Sequence, residues 1–103
     1  MLQKDSGHEA VRKEGCCFLC CCYKGGLNTI QEADTCFYWA LDNNKVRGDS
    51  YVQINKDTFA KEIAEKYGRS VRPVKFVKGD NHFYLVDEQG NEVYNSVRKG
   101  YGH

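Results

Sequence analysis

The segment EGCCFLCCCYKGG (14–26) packs five of the chain's six cysteines into seven residues and sets glycines at both ends. From Cys16 to Tyr23 it has no charged side chain. A short run that is apolar all round, closed by Gly25 and Gly26, reads as a helix with no face to offer water, so it belongs inside a core. At 103 residues the chain is one domain by length, with material for a single modest core. The cysteine helix is therefore expected at its centre.

Other uses of such a cluster fail on elementary grounds. The apolar run CCFLCCCY spans eight residues, whereas a membrane helix needs about 20. The opening MLQKDSGHEAVRKE mixes acids and bases and does not form the basic start of a signal peptide. A cytoplasmic chain with reduced thiols is the expectation. Consecutive side chains point apart, so Cys20, Cys21 and Cys22 do not pair among themselves without strain, and a reducing compartment argues against Cys36 bridging to them. Cys17 and Cys20 form a C-x-x-C, but zinc needs a second ligand pair, and a thioredoxin-type pair needs a preceding βαβ unit. No metal or cofactor is expected. Fifteen basic and fourteen acidic residues give a net charge of +1 without a charge block, so nucleic acid is not the expected partner. Oligomeric state is not readable.

Helical signals fill the first half. Residues 6–14 read as a short polar helix ended by Gly15, and 16–23 as the buried one. Thr29 and Glu32 have capping-box spacing, with Ile30, Ala33, Phe37, Ala40 and Leu41 on one stripe behind them. A further helix starts at Asp57-Thr58, with Phe59, Ile63 and Tyr67 at intervals of four and Gly68 as its stop. SYVQI reads as a short strand. SVRPVKFV, NHFYLV and EVYNSV follow, rich in β-branched and aromatic residues, with Pro73 suggesting an edge. The class predicted is α+β: N-terminal helices, the cysteine helix central, packed on a C-terminal antiparallel sheet.

Cys16 differs from the other cysteines because it follows a glycine and opens its helix. Free N–H groups and the positive end of the helix dipole favour a thiolate there. The N–H groups of Cys16 and Cys17 also offer donors to an oxyanion. A nucleophile needs a base. His103 is terminal and His8 lies in a polar segment. His82 leads a core strand, where a rigid sheet holds it. Asn95, on the next strand, is the candidate to orient the imidazole; Asp87 lies on the opposite face by parity.

Two hairpin registers are open. With Gln89-Gly90 as a two-residue loop, Glu88 pairs with Asn91, His82 lies opposite Val97, and Asn95 shares the face of His82. With Asp87–Gly90 as a type I turn and a glycine bulge, parity flips and Asn95 faces away, unless a second bulge or a strand end at Tyr94 restores it. Asp first and Gly fourth suit the second turn.

GCCFL at a helix start, followed downstream by NHFYLVDEQGNEVYNS, resembles the Cys…His…Asn order of papain-like cysteine peptidases. More narrowly, it is similar to small bacterial and phage proteins of the bacteriocin-processing group. The resemblance implies a papain-like fold and a thiol hydrolase acting on a peptide, a peptidoglycan cross-link or an isopeptide. Cys16 would be nucleophile, His82 base and Asn95 orienting group. It also implies a glutamine beside the oxyanion hole, and Gln3, thirteen residues before Cys16, is the one on offer. Two readings from other classes stand beside it: a non-catalytic binding module on the same fold, and a cysteine-ligated metal protein.

Overall fold

The computed structural model describes residues 1–98; residues 99–103, His103 among them, lie outside the described residues. Glycines divide the first half of the chain. Gly15 ends helix α1 (Glu9–Glu14) and opens α2 (Cys16–Lys24). Its N–H donates to Val11 O at 2.9 Å and its carbonyl accepts from Leu19 N at 2.8 Å. A Cβ at this position would stand 2.5 Å from Val11 O, so only glycine lets the two helices meet here.

At the other end of α2, Gly26 takes φ +96° while Leu27 N–H caps the Cys22 carbonyl at 3.0 Å. Arg72 reaches back to this end from the second half of the chain. It donates to Tyr23 O at 2.7 Å and Leu27 O at 3.0 Å, with its guanidinium 4.0 Å from the Tyr23 ring centroid.

The expected capping box is present: Thr29 and Glu32 close the start of α3 (Ile30–Asp42). Asn55 caps α4 (Lys56–Tyr67) by accepting from Thr58 N, and Gly68, left-handed at φ +65°, ends it. Phe18 of α2 meets Phe37 of α3 at 5.3 Å and Phe59 of α4 at 6.2 Å between ring centroids. On the sheet side, Tyr23 stacks on Tyr94 at 4.6 Å, with the rings 5° from parallel. Residues Phe18 to Cys22 are fully buried. The cysteine helix is thus the central element, with helices on one flank and strands on another.

The sheet is antiparallel, in the order β1 (Lys75–Lys78), β2 (Phe83–Val86), β3 (Glu92–Tyr94). The α+β class holds, while several boundaries move. The first helix starts at Glu9 rather than Ser6, because Asp34 of α3 binds the Ser6 hydroxyl and the Gly7 N–H. A 3-10 turn at Gln3–Asp5 precedes it. SYVQI forms no strand; Val52 makes only an isolated bridge to Val46. SVRPVKFV pairs only from Lys75, because Arg72 is drawn to α2 and Pro73 has no N–H to give a ladder. Pro73 thus precedes an edge strand.

The hairpin follows the second of the two registers. Gly90 N donates to Asp87 O at 3.0 Å, Asp87 N to Asn91 O at 2.9 Å, and Gly90 takes φ +85°. Val86 pairs with Glu92, but Leu85 pairs with Tyr94, so Val93 is an extra residue. This second bulge reverses the parity flip of the first. The strand then ends at Tyr94, leaving Asn95 free to turn towards His82.

Candidate active site

Cys16 is the first residue of α2, half-buried, with no side-chain cap at the helix start. In an α-helix the first N–H groups have no intrahelical acceptor, so those of Cys16 and Cys17 stand available beside the thiol. The first residue of β2 faces this end. Phe83 N–H points at Cys16 Sγ with a separation of 3.5 Å. Consecutive residues of an extended chain project to opposite sides, and here they straddle the thiol. His82 lines a cavity of about 640 Å³ with Gln3, Lys13, Glu14, Cys16 and Asn81. Phe83 lines a second, of about 450 Å³, with Cys16, Cys17, Tyr51, Ile54 and Lys56. Cys16 lines both recesses.

His82 Nε2 and Asn95 Nδ2 are 3.1 Å apart. Asn95 is buried, and each of its polar atoms has a partner. Oδ1 accepts from Val97 N at 3.1 Å, while Nδ2 also faces Glu92 Oε1 at 3.4 Å. This places the proton of neutral His82 on Nδ1, which lies 3.2 Å from Asn81 Oδ1.

Gln3 reaches the site despite its distance in sequence because the far end of the chain holds it there. Its N–H donates to Ser96 O at 2.8 Å, and the Ser96 hydroxyl donates to Gln3 Oε1 at 3.0 Å. Nε2 donates one hydrogen to Arg12 O at 3.0 Å, which leaves the second N–H of the amide. Tyr94 secures the same segment from inside, its hydroxyl donating to Met1 O at 3.0 Å.

The other cysteines divide cleanly. Burial pushes the thiols of Cys20, Cys21 and Cys22 well up, so they stay protonated packing groups. A hydrogen bond from Cys21 holds the Cys17 thiol below its ordinary range; burial opposes this shift and the Lys56 charge adds to it. Among the described residues, no three His, Cys, Asp or Glu side chains converge as metal ligands would. His8 lies elsewhere, bonded to Asp34 O at 3.1 Å and packed on Phe37.

Cys16, Cys17, His82, Asn95 and Gln3, the residues singled out from sequence, therefore gather at one end of α2. Sequence reading missed Asn81, Phe83, Glu92 and Lys56. Asn81 and Phe83 flank His82 and were within reach of the strand argument; nothing local marks Lys56. Among the described residues no helix is long and apolar enough to cross a membrane. No protein-family model matches the chain, and comparison with curated proteins and with solved structures finds no match either.

Proposed function

We propose that the protein is a minimal papain-like thiol hydrolase that cleaves an amide or peptide bond. The observation that carries this reading is the convergence of a helix-opening cysteine, a strand-end histidine and a buried asparagine bonded to that histidine, around a cavity shared by Cys16 and His82. The Cys16 proton passes to His82 as Sγ attacks the carbonyl carbon, and a C–S bond forms. The oxyanion is met by the N–H groups at the start of α2 and the remaining N–H of Gln3. The C–N bond breaks as His82 gives its proton to the leaving amine. Water then attacks the thioester with its proton passing to His82, the C–S bond breaks, and Sγ recovers that proton.

For His82 to accept at Nδ1, its Nε2 must carry a hydrogen and meet an oxygen of Asn95. A half-turn of the Asn95 amide provides that oxygen, gives up the Val97 N–H, and frees Nδ1 from Asn81. On this reading the base works in the tautomer that one turn of the Asn95 amide produces.

The resting hydrogen bonds favour a second reading, a non-catalytic binding module: both ring nitrogens of His82 are engaged, as in a structural histidine. Trapping decides between them. With an N-acylated peptide thioester or ester, denaturing quench and peptide mapping, the hydrolase reading predicts an acyl group on Cys16 that turns over in the wild type. It predicts that the group persists in His82→Ala if it forms. A binding module leaves Cys16 unacylated in both proteins.

A further inference from the structure

The two recesses at Cys16 differ in chemistry, and the mechanism assigns each to one side of the scissile bond; this step rests on the hydrolase reading. His82 must protonate the leaving amine, and among these two recesses it lines only the larger one. The amine therefore departs there, and the acyl part of the substrate lies in the recess bordered by Cys17, Ile54, Phe83 and Lys56.

That second recess has an apolar wall with the Lys56 ammonium held against it. Lys56 is half-buried, with its Nζ 5.1 Å from the Phe83 ring centroid and 5.9 Å from that of Phe76. The stacking keeps the ammonium in the cleft, next to the strand residue whose N–H faces Cys16 Sγ. Among the described residues Lys56 has no carboxylate partner. Its neighbour Asp57 is taken by Lys24 at 2.6 Å, and Arg47 across the recess is paired with Asp49 at 2.7 Å. Lys56 is also the first residue of α4, where the helix dipole disfavours a positive charge, so the two aromatic rings rather than the helix hold the cation at this position. Glu14, the remaining acid, lines this recess and the larger one as well, and forms no ion pair with Lys56 among the described residues.

We infer that Lys56 selects the substrate: the acyl side carries an apolar side chain against Phe83 and Ile54 and presents a carboxylate to the Lys56 ammonium, making the preferred substrate an acidic peptide.

The test uses three N-acetyl tripeptide fluoromethyl ketones, Glu-Leu-Gly, Gln-Leu-Gly and Lys-Leu-Gly, with the rate of Cys16 modification followed by mass spectrometry. The glutamate probe is expected to react roughly tenfold faster than the glutamine probe, the effect of one charge-assisted contact at a partly exposed site. The lysine probe is expected to be slowest. Lys56→Met should abolish the difference, and Lys56→Glu should reverse the order. Both variants keep the start of α4, and circular dichroism verifies that they fold. Equal rates for all three probes in the wild type would overturn the inference and leave the hydrolase reading intact. Failure of every probe to modify Cys16 would overturn both.

Discussion

Gly15→Ala is the sharpest link between fold and site. The added methyl would stand 2.5 Å from Val11 O and 2.6 Å from Val11 Cγ1. Ordinary non-bonded contact is about 3.5 Å, so α1 and α2 must part by on the order of 1 Å. The atoms in the way include backbone, which cannot rotate aside. Forcing an extra methyl into packed surroundings costs about 1–3 kcal/mol. The entropy that alanine removes from the unfolded chain offsets about 0.4–1 kcal/mol of this. Net destabilisation of about 1–2 kcal/mol should appear in urea unfolding followed by circular dichroism.

The same shift moves Cys16, the next residue. A misplacement of about 1 Å lowers the rate of a positioned reaction roughly a hundredfold, so turnover of the Cys16 acyl group should fall by that order. Gly48→Ala is the control, since nothing lies within 4 Å of a Cβ there; it should stay within about 0.5 kcal/mol of wild type. If Gly15→Ala matched Gly48→Ala in both stability and turnover, Gly15 would not be what positions Cys16.

Other consequences are as direct. Asn95→Asp offers His82 only oxygens, fixing the Nε2–H tautomer without an amide turn; it should keep acyl transfer within about tenfold of wild type, whereas Asn95→Leu should lose about a hundredfold or more. Equal loss in both would refute the proposed role. Tyr94→Phe deletes the buried bond to Met1 O and should cost about 1 kcal/mol in denaturant unfolding; an unchanged midpoint would show that this bond contributes nothing. Glu32 is held down to about 2, from an ordinary 4.5, first by Arg69 and then by the Asn28 and Thr29 N–H groups. A carboxyl lowered on folding contributes stability that is present above about 4.5 and lost as pH falls towards about 2. The acid limb of the stability profile should therefore be shallower in Glu32→Gln, and an identical limb would contradict the assignment.

What the sequence made legible depended on how local the signal was. The cysteine helix needed only its glycine borders and unbroken apolarity, and the Thr29–Glu32 cap only its spacing. The lost strand at SYVQI and the late start of β1 escaped because distant groups decided them. Arg72 pulls one segment onto the end of α2 and Val52 finds only Val46. The placement of Asn95 turned on two bulges of opposite effect. The first was written in Asp87 and Gly90, while the second, at Val93, carries no residue signature. Gln3 reaches the site through Ser96, a contact across nearly the whole chain that no spacing rule anticipates. Lys56 acquires its meaning only when Phe83 arrives beneath it.

In the proposed mechanism His82 activates Cys16 and no other cysteine. The measurement is alkylation of the folded protein by iodoacetamide, with each thiol located by peptide mapping, in wild type and His82→Ala. Cys16 should react fastest and slow by roughly a hundredfold or more without His82. Cys17, also half-buried and at the same helix end, should keep its rate, and Cys20, Cys21, Cys22 and Cys36 should react only on unfolding. A Cys16 rate that is indifferent to His82, or that merely matches Cys17, would overturn the proposed mechanism.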